Sequence, residues 1–339
     1  MKTKTVNALM KYLRDKKGIQ IEGSSQKQKL RSIGYYHGYK GYRFFSSPSN
    51  HLAYTDFNQL LSVYSFDMQV KAILYTPLMQ IETALKNYAL EEFLLECDSC
   101  HFADIYTNIL NHHNDFPKGS SGFKEAIKKE LSFRNKIYGD LSRDYSAKLV
   151  VQHFYDKDQP VPIWAIFETI SLGEFGTMLL CVNDKVVKKI AKSVGINSAF
   201  NSDGRLLGKI VFTLKDLRNA VAHNDPVFDL RFKTATPNGN IAKLVTNETG
   251  VQNITFNTIV DYIVLVTYLM KCLGFTKTEI RKLILDFKNC YEDLRKRVPA
   301  HIYSVIIHTD TRSKLQKLET YAEVKSLLPV PKADGRNWT

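Results

Sequence analysis

Residues 206–226 read Leu206-Leu207-Gly208-Lys209-Ile210-Val211-Phe212-Thr213-Leu214-Lys215-Asp216-Leu217-Arg218-Asn219-Ala220-Val221-Ala222-His223-Asn224-Asp225-Pro226. Leu206, Leu207, Ile210, Leu214, Leu217 and Val221 recur at helical spacing and form one apolar stripe. Asp225-Pro226 stops the pattern, because proline cannot continue a helix and disfavours helical geometry in the residue before it. The stretch therefore predicts a helix over Leu206–Ala222, with Arg218, Asn219 and His223 at its C-terminal end.

The same period governs most of the chain. Leu60, Leu61, Tyr64, Phe66, Val70, Ile73 and Leu74 open a long helical pattern that Pro77 breaks or restarts. Leu78, Ile81, Leu85, Tyr88 and Leu90 carry it on to Leu95. Shorter helices are expected at Val6–Leu13, Gln26–Ile33, Phe123–Tyr138, Ala147–Phe154, Ile163–Ser171 and Val186–Val194, and longer ones at Phe256–Leu273 and Thr276–Arg297. Thr320–Leu327 also fits a helix. Residues 97–121 read as a loop with one short helix, 231–255 as a hairpin or loop, Ile302–His308 as a short strand, and the tail after Pro329 as loose. The fold class is mainly α. The expected divisions are 1–50, a basic aromatic N-terminal element; 51–235, a helical core; and 236–339, a C-terminal helical extension packed on that core.

The chain has 339 residues and a formal net charge of +13. Residues 1–45 hold eleven Lys and Arg against Asp15 and Glu22, and residues 271–339 hold fourteen basic against eight acidic. The middle is near neutral, with 22 basic and 24 acidic residues between 46 and 270. Two basic ends suit a polyanion, since Lys and Arg displace counterions from phosphate.

Other classes are disfavoured. The most apolar run, Ile259–Leu273, contains Asp261 and Lys271 and is too short to span a bilayer. The first residues lack the apolar stretch of a secretory signal, so a cytoplasmic, reducing setting is expected. Cys97, Cys100 and His101 form a C-x-x-C-H string, but exported haem attachment does not fit that setting. A zinc site would need two more ligands, for which His112 and His113 are poor candidates. No metal and no cofactor are expected.

The chemistry concentrates at Arg218, Asn219 and His223. Arginine is permanently charged and forks onto phosphate oxygens. Histidine exchanges a proton near neutral pH. RNA cleavage without metal needs a base for the 2′-hydroxyl and a cation for the charge building on phosphorus. Asn219 and His223 are four apart and share a helix face, whereas Arg218 and His223 are about 140° apart on an ideal helix. Arg218 would have to reach round, the last turn would have to loosen, or a second copy across a two-fold axis would complete the site. The same Arg and His also suit a helix C-terminus, where they complement the dipole and cap carbonyls.

Between Gly34 and Phe45 lie Tyr35, Tyr36, Tyr39, Tyr42, Phe44 and Phe45, with Lys40 and Arg43 among them. Aromatic rings stack on unpaired bases while cations follow the backbone, so Tyr36, Tyr39, Lys40, Tyr42 and Arg43 are RNA-contact candidates. Packing of these tyrosines against the core is the competing reading. Trp164 reads as a packing residue.

Four elements resemble a known family. Leu217–Asp225 looks like the R-x-x-x-x-H motif of HEPN-domain proteins. Ile33-Gly34-Tyr35-Tyr36 with Gly41-Tyr42 is similar to an aromatic element of the Abi-like (AbiD/AbiF-type) abortive-infection proteins, with His37 where the family often has Arg. Tyr64-Ser65-Phe66-Asp67 with Ile81-Glu82-Thr83-Ala84-Leu85-Lys86 resembles its Y-x-F-D and I-E-x-x-L-[RK] elements. Trp164, Glu168, Ser171 and Gly173 resemble its W-x-x-x-E-x-x-S-x-G element.

The resemblance covers roughly residues 30–230 and implies an all-α HEPN core, a homodimer and metal-independent endoribonuclease activity in antiphage defence. It implies that Arg218 holds phosphate, His223 transfers protons and Asn219 orients one of them, giving 2′,3′-cyclic phosphate and 5′-hydroxyl ends. Glu82 is either a partner in that chemistry or a buried ion pair with Arg218 or His223. The expected partners are RNA, as substrate or bound non-coding RNA, and a restraining antitoxin. The alternatives are a non-catalytic HEPN-like module that binds a structured RNA in a defence ribonucleoprotein, and an adaptor that touches protein only.

Overall fold

A computed structural model describes residues 5–323. The fold is mainly α, and the described residues form no strand, only three isolated bridges. The helices run α1 Val6–Lys17, α2 Gly23–Ile33, a π-helical turn Gly34–Lys40, α3 Phe57–Cys97, α4 Phe102–Asn108, α5 Ser121–Asp144, α6 Leu149–Tyr155 and α7 Ile163–Thr169. They continue as α8 Leu172–Cys181, α9 Asp184–Ser193, α10 Leu206–Ala222, α11 Gly239–Thr249, α12 Ile259–Cys272, α13 Lys277–Arg297, α14 Ala300–Ile306 and α15 Thr311–Glu323.

The 41-residue α3 is the axis of the molecule, packed by α9, α10, α12 and α13. Asp56 caps its N-terminus by accepting from the Asn58 amide at 2.6 Å. Pro77 does not interrupt it. Leu74, Leu78, Ile81 and Leu85 are buried on both sides of the proline, and that continuous packing outweighs the hydrogen bond that proline cannot donate. One hydrophobic core joins Leu13 and Tyr42, the α3 stripe, the α10 stripe and the C-terminal residues Ile284 and Leu318.

Three further expectations are corrected. Residues 239–249 form α11, not a hairpin, with Ile241, Leu244 and Val245 buried at helical spacing. Ile302–His308 is no strand: Ala300–Ile306 is α14, which buries Ile302 and Ile306 four residues apart. A helix absent from the sequence reading, α8, begins where the α7 pattern stops. Ser171 accepts from the Glu174 amide (3.3 Å) while Glu174 accepts from the Ser171 amide (2.6 Å), a capping box. Gly173 and Gly176 are close-packing points between α8 and α10. A Cβ at 176 would lie 3.1 Å from the Phe212 ring and 3.2 Å from Val211. Of the helix expected at Thr320–Leu327, residues 320–323 end α15; residues 324–327 and the tail after Pro329 lie outside the described residues.

Candidate active site

Helix α10 ends in a turn with defined geometry. The His223 amide donates to Asn219 O (2.9 Å) and the Asp225 amide to Ala220 O (2.8 Å). Asn224 between them adopts φ +60°, the left-handed conformation that closes many helices and that Asn tolerates better than most residues. Pro226 follows, so the helix cannot continue.

A buried carboxylate on α3 holds this turn in place. Asp67 Oδ1 accepts from the Val227 amide (2.7 Å) and the Phe228 amide (2.8 Å). Its Oδ2 accepts from the Tyr42 hydroxyl (2.6 Å) and pairs with Lys71 Nζ (2.9 Å). Lys71 also donates to Asn224 Oδ1 at 2.6 Å. All four bonding positions around the carboxylate are thus used, as burial of an ion pair demands. The Y-x-F-D element and the aromatic element meet here, and their joint role is to fix the chain just beyond His223.

On the other side of α10, Arg218 forks onto Glu82 of α3. Nε to Oε2 is 2.7 Å and Nη2 to Oε1 is 2.9 Å, while Nη1 donates to Asn219 Oδ1 at 3.0 Å. Lys86 adds 3.1 Å to the same carboxylate and donates to the carbonyls of Phe167 (3.2 Å) and Ile170 (2.7 Å), tying α7 to the pair. The side chains of Arg218 and Glu82 keep only 18% and 12% of their exposure.

The structure therefore joins Arg218, Asn219 and Glu82 through direct hydrogen bonds. His223 stands apart from that set: it caps α10, is exposed, and its ring makes no hydrogen bond or ion pair among the described residues. Glu82 and Asn219 engage the guanidinium, and no hydrogen bond joins Arg218 to the imidazole among the described residues.

The five aromatic-element candidates separate. Tyr42 and Tyr39 are 2% and 4% exposed. Tyr42 stacks on Phe228 (5.4 Å) and bonds Asp67; Tyr39 stacks on Tyr35 (5.5 Å). Burial pushes the Tyr39 hydroxyl up to about 12, with Tyr35 and Tyr12 adding to it. In this conformation both rings pack the core and offer no face to a base. Tyr36 is 70% exposed, and Lys40 Nζ lies 5.7 Å from its ring and from that of Tyr35. Arg43 is half-buried, over Phe44. Trp164 is partly exposed and meets Phe154 edge-on.

Among the described residues, Cys97, Cys100 and His101 join no group of convergent metal-ligating atoms. Cys97 ends α3 and accepts weakly from Asn108, while His113 is taken by Glu130 at 2.6 Å. His112, Asp115 and Asp184 do converge, but the Arg205 guanidinium is already among them, 2.7 Å from His112 Nδ1.

The chain matches the Abi-like protein family over residues 28–229. It belongs to that family. Membership suggests an abortive-infection protein, and the matched span contains every element of the site: the aromatic segment, Asp67, Glu82, Ser171 and the end of α10. No match was found among curated proteins or among solved structures. No described helix of this Abi-like protein is long and apolar enough to cross a membrane.

Proposed function

We propose that this Abi-like protein is a metal-independent, HEPN-type endoribonuclease acting in the cytoplasm as a toxin of antiphage abortive infection. The observation that carries the reading is His223: an exposed, unpaired imidazole on a rigidly anchored helix end, one turn from the Arg218–Asn219–Glu82 network. In the reaction the RNA 2′-oxygen attacks phosphorus, its proton passes to a base, the P–O5′ bond breaks and the 5′-oxygen takes up a proton. His223 serves one of those transfers. Arg218 supplies positive charge toward the phosphate, with Asn219 as the link between it and the His223 face. The products carry 2′,3′-cyclic phosphate and 5′-hydroxyl ends. A second copy completing the site across a two-fold axis would add a second His223. RNA is the partner, and a toxic nuclease requires restraint by an antitoxin or a bound RNA.

One observation favours a second reading, a non-catalytic HEPN-like module that binds structured RNA: all three Arg218 nitrogens are engaged within the chain. The test is cleavage of end-labelled RNA in EDTA by wild type and His223→Ala. Cleavage lost in the variant, with cyclic-phosphate ends in the wild type, supports the nuclease. Equal cleavage by both removes His223 from the chemistry. Tight binding without cleavage by either favours the binding module.

A further inference from the structure

We propose that a cleft along the exposed face of α10 is a nucleotide subsite, which takes a base about three to five positions from the cut bond. The proposal deepens the ribonuclease reading and takes the position of the cut from it.

On α10, Lys209, Phe212, Asp216, Asn219 and His223 fall within an arc of about 80° at 100° per residue. All five are exposed or partly exposed, so one solvent-facing strip runs from His223 back along the helix. Beside its far end lies a cleft of about 280 Å³, walled by Lys209, Phe212 and Asp216 on one side and by residues 234–238 on the other.

The lining suits a nucleotide better than a protein side chain. Phe212 offers an apolar ring, and Lys215 Nζ stands 6.0 Å from its centroid. Gly176 packs closely against the Cε1 and Cζ atoms of that ring, where a Cβ would lie only 3.1 Å away, so α8 supports the ring from within the fold. The carboxylate in the cleft is already satisfied. Asp216 Oδ2 accepts from the Thr234 amide (3.0 Å) and hydroxyl (2.7 Å), and Oδ1 pairs with Lys215 (2.8 Å). Lys209 is exposed at the cleft wall, and Asp216 is paired with Lys215 rather than with it. An aromatic platform with a cation at its rim and its acid neutralised is the combination that holds a base and the adjoining phosphate.

Spacing sets the register. At 1.5 Å per residue, Asp216 lies about 10 Å and Phe212 about 16 Å along the axis from His223. Stacked nucleotides advance about 3.4 Å each, which places the subsite about three to five nucleotides from the phosphate at His223.

The experiment uses the full chain. Wild type maps the cut in a model RNA; His223→Ala then binds the same RNA carrying a single 4-thiouridine at stepped offsets. Photo-crosslinks to the peptide containing Phe212 are expected to peak three to five positions to one side of the cut. Phe212→Ala should weaken RNA binding roughly 5- to 150-fold while kcat holds, and Phe212→Trp should restore it. Lys209→Glu, on an exposed side chain that folding does not need, should weaken binding in the same direction. RNA that is cut normally but crosslinks elsewhere, with KM unchanged in both variants, overturns the subsite alone. Crosslinking at Phe212 to RNA that is never cut overturns the ribonuclease reading and the register counted from it. A dimer that falls apart in Phe212→Ala assigns the face to contact between copies and also overturns the subsite.

Discussion

Arg218 and Glu82 form a two-pronged ion pair between α10 and α3, with N···O distances of 2.7 and 2.9 Å. The geometry is the planar fork that guanidinium also makes on phosphate, so Glu82 occupies the very donors a phosphodiester would use. Lys86 beside it leaves the cluster with two cations to one carboxylate, and both are partly buried. The pair is thus structural in position and competitive in chemistry.

Glu82→Gln should release that competition. The amide still accepts a hydrogen bond but no longer neutralises the guanidinium. Binding of single-stranded RNA should tighten, and the slope of log affinity against log salt should steepen by about 0.7, the value of one further phosphate contact. A salt titration by fluorescence anisotropy reads this directly. An unchanged slope would mean that Arg218 never meets phosphate.

Asp67→Ala should cost about 3–5 kcal/mol, because it strands a buried lysine, a tyrosine hydroxyl and two amides together. Asp67→Asn, which keeps acceptor capacity, should cost less. Urea unfolding midpoints measure both. A loss below about 1 kcal/mol for the alanine variant would show that this network is not what anchors the turn after His223.

Some of this was legible in the sequence for physical reasons. The α10 boundaries follow from an unbroken apolar stripe ended by Pro226, and the Arg218–Glu82 pairing was one of the options open for Glu82. What stayed hidden was of a different kind. Gly173 and Gly176 signal helix breaking and helix–helix contact equally well, and only the approach of Lys215 to the first and of Phe212 to the second decides for contact. Consecutive aromatics have no period, so nothing in the string Gly34–Phe45 separates the buried Tyr39 and Tyr42 from the exposed Tyr36. For Tyr42 the partner is Asp67, which reaches it from a different element. The strip from Lys209 to His223 was present as spacing, yet its opposite wall at 234–238 comes from the fold alone.

Asn224 carries the left-handed turn, and its two contributions can be separated. Asn224→Gly keeps φ +60° accessible and loses only the Lys71 bond; Asn224→Ala loses the bond and adds backbone strain of about 1–2 kcal/mol. Thermal melts should rank wild type above the glycine variant and glycine above alanine. Alanine matching glycine would show that the turn relaxes out of the left-handed region, and with it the placement of His223.

Glu96 near the end of α3 ties that helix to α9. Hydrogen bonds from Lys185 and then Lys189 hold its carboxyl below the usual glutamate range, against the opposing effect of burial. A carboxyl with a depressed folded pKa binds its proton less readily when folded than when unfolded. Its contribution is therefore complete above the unfolded value of about 4.3 and is lost as pH falls through the lower folded value. The stability difference between wild type and Glu96→Gln should stay constant from neutral pH to about 5, then close as the medium is acidified further. Both lysines are largely solvent-exposed, so the difference should be modest and should shrink in high salt. Urea titrations at stepped pH test it. A difference that widens on acidification would mean that these lysines do not stabilise the ionised carboxylate.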